Sequence, residues 1–345
     1  MKIGILTFHW ATNYGAVLQT YALQQYLLDY GHEVEIINYK PRKYDFFVRY
    51  LTSPWLILRL RKDIVAYKKE KKLIKFRNNN CIISDKRFLS CKQLNETPLD
   101  YDLIISGSDQ VLNPHFTLLG ENRPTPTYYL TFAKKIRRIG YALSFGCTNY
   151  PSESLVYAKK WINSFDRIAV RENSGLTVLS EMDFLKEKVV VPDPTLLYGK
   201  KLFENLNVLI PHNKNYICIY VLRECITLDT DNIIYIDDLN NPLSMEQWLG
   251  TIIASSGMVT NSYHGMIMAI LNHVPFVVLL ETKKTGMNDR FLTLLSRLGL
   301  ENRICNILSN YDKILRQPIE WDEVEKRIDE FRKIGVNYLK PEICI

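Results

Sequence analysis

The chain has 345 residues, 47% of them hydrophobic and 23% charged, with 15 Gly, 14 Pro and a formal net charge of +7. That length exceeds one ordinary core and predicts two domains, and the balanced composition excludes low-complexity and repeat architectures. The seven cysteines stand apart at 81, 91, 147, 218, 225, 305 and 344 without a Cys-x-x-Cys pair, which argues for a reducing compartment and against a zinc site or disulfide framework. No metal is expected.

The N-terminus opens with a strand from Ile3 to Phe8 that reaches His9 and Trp10 before a signal-peptide core could form, so a cytoplasmic location is expected. Asn13-Tyr14-Gly15 follows, then a helix from Ala16 to Tyr30 closed by Gly31, then a strand from Glu33 to Tyr39. This order begins a doubly wound α/β domain, whose ligands sit at the carboxyl ends of strands. Neither Gly-x-Gly-x-x-Gly nor a Walker lysine is present, so a dinucleotide or ATP site is not supported and no bound cofactor is expected.

Between Arg42 and Arg77 twelve Lys or Arg face three Asp or Glu, a net of +9, which leaves the rest of the chain slightly acidic. The segment also carries Tyr44, Phe46, Phe47, Tyr50, Trp55, Tyr67 and Phe76. Residues 41–80 therefore read as a basic, aromatic, helical insert. It either lies on an anionic membrane surface at the inner face of the cell membrane or packs as a solvated excursion on the first domain. No recognised nucleic-acid motif accompanies the charge, so nucleic acid is not an expected partner.

Tyr101 to Ser106 forms a strand ending in Gly107-Ser108-Asp109-Gln110, and Arg138 to Ser144 forms another. After a helix from Ser154 to Phe165, Ile168 to Val170 runs into Arg171-Glu172, where Arg171 either pairs with Glu172 at the surface or faces a ligand. Val189 to Val191 leads into Pro192-Asp193-Pro194-Thr195, a rigid turn that Asp193 can cap. Composition loosens through residues 211–215, marking a linker to a second α/β domain. Its first strands run from Tyr216 to Leu222 and from Ile233 to Ile236, joined by too few residues for a crossover helix. Helices follow at Ser244 to Ser255, Asn288 to Leu298 and Trp321 to Ile334. The expected division is a first Rossmann-like domain over 1–200 on the acceptor side, a second over 210–320 on the donor side, and a C-terminal helix within 321–345 that returns to the first.

No Asp, Glu, Lys or Arg occurs from Ala254 to Leu280. The polar run Thr260 to Gly265 and the Asn272-His273-Val274-Pro275 break leave apolar pieces too short for a membrane span, so the stretch reads as a buried strand, helix and strand. Thr260, Asn261, Ser262, Tyr263 and His264 stand at the strand-to-helix turn with no acidic residue in the first helical turn. Either an external anion answers the free N–H groups there, or the helix is ordinarily capped above a packed histidine.

Six motifs follow one another along nearly the whole chain: Asn13-Tyr14-Gly15-Ala16-Val17-Leu18-Gln19 with Tyr21-Ala22-Leu23, Gly107-Ser108-Asp109-Gln110, Tyr141-Ala142-Leu143-Ser144-Phe145-Gly146, Val170-Arg171-Glu172, Asp193-Pro194-Thr195 and Thr260-Asn261-Ser262-Tyr263-His264-Gly265. Together they resemble the polysaccharide pyruvyl transferase family. The resemblance implies two Rossmann-like domains in a glycosyltransferase-B-like arrangement with the site in the cleft between them. It implies transfer of the pyruvyl group of phosphoenolpyruvate, as co-substrate, onto two sugar hydroxyls as a cyclic ketal in cell-surface or capsular polysaccharide synthesis. The acceptor would be a sugar or a lipid-linked oligosaccharide.

On this reading His264 is proton donor or phosphate ligand and Asp109 the base. Arg171, Arg290, Thr260, Asn261, Ser262 and Gly265 form the donor side, and Asn13, Tyr14, Gly15, Ser108 and Gln110 the acceptor side. Relatives place arginine two residues before the histidine where this chain has Ser262, so Arg171 or Arg290 is expected to complete the anion seat. His264 is expected to be neutral in the free protein and to gain a proton when the anionic donor binds. The alternatives are a nucleotide-sugar-dependent glycosyltransferase of the same architecture and a catalytically silent glycan-binding protein.

Overall fold

Short runs of Val, Ile and Leu with no polar alternation build two parallel sheets, each covered on both faces by helices. The computed structural model describes residues 1–45, 60–212, 214–224, 226–282 and 285–343. The first sheet contains β1 (Lys2–Leu6), β2 (Glu33–Ile36), β3 (Leu103–Ser106), β4 (Arg137–Leu143), β5 (Arg167–Val170) and β6 (Lys188–Val190), in the order β2-β1-β3-β4-β5-β6. All its pairings are parallel, and the register slips between Gly140 and Leu143 of β4, where Ala142 adopts a φ of 49°. The second sheet contains β7 (Ile217–Tyr220), β8 (Ile233–Tyr235), β9 (Gly257–Thr260) and β10 (Phe276–Val278), in the parallel order β10-β9-β7-β8.

The helices that matter for the site are α1 (Tyr14–Asp29), α2 (Leu60–Asn80), α3 (Ser174–Glu181), α4 (Pro194–Tyr198), α5 (Met245–Ile253), α6 (Tyr263–Leu271), α7 (Asp289–Leu298) and α8 (Trp321–Ile343). The α1 helix is buried on nearly every side because β2, α2, α4 and α6 all pack on it. Its start is set by Asn13, whose side chain accepts from the amide of Ala16. The α5 helix begins with a complete capping box between Ser244 and Gln247.

Three seams bind the domains. Tyr14 of the first domain stacks on Trp248 of the second at 5.1 Å between ring centroids, and its hydroxyl donates to the carbonyl of Leu243 at 2.7 Å. Beside it Lys69 of α2 pairs with Asp237 at 2.6 Å. On the far side, Asp289 accepts from the amide of Ser174 at 2.7 Å and Thr293 from that of Asn173 at 3.1 Å, so α7 answers free N–H groups at the start of α3. Finally α8 crosses back onto the first sheet, where Tyr338 donates to the carbonyl of Gly140 and the buried Glu342 pairs with Arg137 and Arg167. This helix runs nine residues beyond the expected end at Ile334, because Gly335 serves a close crossing over Tyr141 and Pro192 and does not stop it.

Within the insert, α2 turns Leu73, Phe76 and Arg77 onto the first domain, and Arg77 donates to the carbonyl of His9 at 3.1 Å. Residues 46–59, including Phe46, Phe47, Tyr50 and Trp55, lie outside the described residues. Among the described residues no helix is long and apolar enough to cross a membrane.

Candidate active site

Parallel strands deliver their carboxyl ends to one edge of a sheet, and here the edges of both sheets meet. From the first sheet, β3 delivers Ser108 and Asp109, β4 Ser144, β5 Arg171 and Glu172, and β6 Asp193; from the second, β9 delivers Tyr263 and His264. Backbone bonds lock these ends together, from the amide of Ser144 to Asp109 and from that of Arg171 to Leu143.

Asp193 is the centre. Its Oδ1 accepts from the amide and hydroxyl of Thr195 at 3.0 and 2.7 Å, capping α4. Its Oδ2 accepts from Arg171 Nη1 at 3.0 Å and from Ser108 Oγ at 3.3 Å, and lies 3.3 Å from His264 Nε2. The carboxylate is fully buried. Burial pushes its pKa up, but His264, Arg171 and Thr195 outweigh that and hold it well below the usual carboxylate range.

The turn that carries His264 spends its polar side chains on the backbone. Thr260 Oγ1 donates to the carbonyl of Tyr220 at 2.7 Å and accepts from the amide of Ser262 at 2.9 Å. Asn261 clamps the end of β7, accepting from the amide of Leu222 at 2.7 Å and donating to its carbonyl at 3.0 Å. Ser262 Oγ caps α6 by accepting from the amide of Gly265 at 3.3 Å. Gly265 lies so close to Met258 and Tyr220 that a methyl group would have to displace them. Across the cleft Gly15 lies directly against the imidazole, and a side chain there would overlap the His264 ring. His264 is thereby held while Nε2, though near Asp193, is not aligned for a hydrogen bond with any described group.

Beside it stand two guanidinium groups. Arg171 is fully buried and faces three carboxylates: Asp193, Asp109 at 3.6 Å from Nη2 and Glu172 at 3.6 Å from Nε. Neither Nε nor Nη2 has a hydrogen-bond partner among the described residues. Arg290, from the first turn of α7, has its Nε likewise unpartnered, and burial followed by the neighbouring Arg171 brings its guanidinium down to about 10. Both groups lie over the Tyr263 ring, at 4.7 and 5.8 Å from its centroid. Burial raises the carboxyl of Glu172 against the pull of Arg171. Asp109, at a φ of 75°, keeps its Oδ1 on the amide of Gln110 at 2.8 Å. Among the described residues no three His, Cys, Asp or Glu are disposed to share a metal ion.

The structure therefore brings His264, Asp109, Arg171 and Arg290 together and gives several other candidates different work. Thr260, Asn261, Ser262 and Gly265 shape the turn, and of the two alternatives for the helix start the ordinary cap is present, with two hydroxyls accepting from the amides of Ser262 and Gly265. Asn13 caps α1, and Tyr14 lies in the seam with Trp248 and Leu243. Ser108 is committed to Ala142 and Asp193, and Gln110 accepts from Asn113. The anion expected near His264 only in the donor complex is already present as Asp193. Two residues escaped the sequence reading, Asp193 as more than a cap and Glu172 as more than a surface partner. Both follow the carboxyl end of a strand, the position that also marks Asp109 in the sequence.

The family model of polysaccharide pyruvyl transferases matches residues 13–283. No curated protein sequence matches the chain. Among solved structures it is similar to the UDP-GlcNAc 2-epimerase of Methanocaldococcus jannaschii, with a TM-score of 0.54 and 11% identity over 98% of this chain and 100% of that one. It is also similar to S. aureus MnaA solved with UDP, at 0.53 and 12% over 98% and 96% of the two chains. A putative UDP-N-acetylglucosamine 2-epimerase from Listeria monocytogenes gives 0.52 and 10% over 96% and 90%. At such identities the likeness is one of fold, a glycosyltransferase-B-like pair of α/β domains.

Proposed function

Because the chain belongs to the polysaccharide pyruvyl transferase family, we propose that it moves the pyruvyl group of phosphoenolpyruvate onto two hydroxyls of a sugar and releases phosphate, with the cluster around His264 as the reaction centre. The observation that carries this reading is a pair of guanidinium groups, the fully buried Arg171 and the half-buried Arg290, that keep N–H groups without acceptors, Nε and Nη2 of Arg171 and Nε of Arg290, beside the unaligned Nε2 of His264. A small dianion bearing carboxylate and phosphate supplies those acceptors. Charge-assisted bonds to guanidinium are strong where water is excluded.

The reaction needs a proton on the methylene carbon, attack of one hydroxyl on the central carbon, and departure of phosphate as a second hydroxyl closes the ketal. One hydroxyl proton ends on the new methyl group and the other leaves with phosphate, so no external acid is consumed. His264 Nε2 donates to the methylene carbon, positioned by Asp193 on one side and by Gly15 on the other. Asp109 takes the proton of the attacking hydroxyl through Oδ2, since Oδ1 holds the amide of Gln110. Arg290, the less buried of the two arginines, meets the phosphate, and Arg171 orients the carboxylate end. The acceptor is a saccharide, free or carried on a lipid, and the product belongs to capsular or other cell-surface polysaccharide. A second reading, transfer from a sugar nucleotide, draws support from the shared fold of S. aureus MnaA solved with UDP.

Phosphate release from phosphoenolpyruvate against nucleoside diphosphate release from sugar nucleotides, assayed with a panel of oligosaccharide acceptors, separates the two. Phosphate release that disappears in His264→Ala, with roughly 10²- to 10⁴-fold loss, is the expected result. Full activity in that variant removes His264 from the mechanism, and nucleoside diphosphate release alone overturns the pyruvyl reading.

A further inference from the structure

Between α2 and the segment leading into α5 lies a solvent-open cavity of about 840 Å³. Its size falls within the range of small-molecule sites. One wall is a row of four lysines, Lys68, Lys71, Lys72 and Lys75, at helical spacings of three and four residues. Seven residues of α-helix rise about 10 Å, so the ammonium groups line one long side of the space. Lys72 donates to the carbonyl of Pro242 at 2.6 Å and so ties the row to the opposite wall. Among the described residues no carboxylate pairs with Lys68, Lys71 or Lys75, although Glu246 also lines the cavity. Lysines at these spacings repel one another and weaken the helix that carries them. This cost fits a site awaiting anionic charge.

The remaining walls supply a different chemistry. Asn79, Asn207, Asn240 and Asn241 line the same space, and a carboxamide offers both donors and an acceptor, the pattern that suits a ligand rich in hydroxyls. Phe76 and Leu209 provide apolar surface between them. A purely anionic partner would need no such carboxamides, and a neutral sugar would need no row of ammonium groups. We propose that this cavity is a binding site for a phosphorylated saccharide, with its phosphate or diphosphate against the Lys68 to Lys75 row and its hydroxyls against the asparagines. The site is separate from the His264 centre and does not depend on the pyruvyl reaction.

The test uses the full chain in isothermal titration calorimetry, with inorganic pyrophosphate and with UDP-glucose as probes. A Lys68→Gln/Lys71→Gln/Lys75→Gln variant, altering exposed side chains only, is expected to weaken both probes by roughly tenfold or more and to flatten the salt dependence. Lys160→Gln, on a remote helix, and Arg290→Ala are expected to leave this binding unchanged. Asn79→Ala/Asn241→Ala is expected to weaken UDP-glucose and spare pyrophosphate. Binding that survives the triple variant, or that vanishes in Arg290→Ala, overturns the assignment. Equal affinity for the two probes in every variant overturns its saccharide half. Flotation with phosphatidylglycerol but not phosphatidylcholine vesicles, without binding of either soluble probe, replaces the saccharide with an anionic lipid surface.

Discussion

Asp193 contacts Thr195, Arg171, Ser108 and His264, which come from four different elements, so its removal reaches further than a lost helix cap. Asp193→Asn leaves Arg171 buried with only the two longer carboxylate contacts, and breaking a buried pair in this way typically costs about 3–5 kcal/mol. Urea unfolding at neutral pH measures it, and a loss under about 1 kcal/mol would show that Asp109 and Glu172 suffice for Arg171. The pH dependence has a definite sign. Because the folded carboxyl lies below its unfolded value, the stability it supplies is present above about pH 4 and is lost as the pH falls toward the folded value. The wild-type protein should therefore lose more stability than Asp193→Asn between pH 6 and acid conditions, each taken relative to its own neutral value. Glu172 has the opposite tendency. Burial raises its carboxyl, so its ionised form opposes folding as the pH climbs through that raised value.

At the scale of elements, β9 and α6 act as a mount for one imidazole. Their polar side chains fall on the turn because a strand must become a helix within two residues, and each orphan N–H or carbonyl there needs an internal answer once the segment is buried. Ser262→Ala removes the cap of α6 and should cost about 1 kcal/mol, read as a lowered midpoint in thermal unfolding. It should also reduce turnover more than substrate affinity, since it alters the placement of His264 while leaving both arginines intact. Unchanged turnover with lowered stability would confine Ser262 to the fold. The α2 helix is a second mount, with Leu73 and Phe76 inward, Lys69 in the seam beneath Tyr14, and a row of lysines along the cavity.

For the whole molecule, the cleft is held from outside by α8. Truncation after Ile334 strips the first sheet of Tyr338, Leu339 and Ile343, all buried, and leaves Arg137 and Arg167 without Glu342. Burying a large apolar side chain contributes about 1.5–3 kcal/mol, so three such losses approach the entire stability of an ordinary domain. Little folded protein is expected from that truncation. A cooperative unfolding transition like that of the full chain would show instead that the helix only decorates the sheet.

Local periodicity made the strands, the helices and their alternation readable, because apolar runs of four to six residues between helical patterns have few alternatives to a parallel sheet. It also placed Asp109, Arg171 and His264 at strand ends, where that architecture puts its chemistry. The end of α8 was misjudged because a glycine that permits close crossing looks, in sequence, like one that ends a helix. Local pattern is enough to name the chemical groups at the carboxyl ends of the two sheets. Which ends touch depends on how the strands and domains assemble. Sheet order sets β3, β4, β5 and β6 side by side, and domain docking lays His264 on Gly15 and Asp193. That neighbourhood joins residues more than 200 positions apart, and no local pattern encodes a contact at such separation.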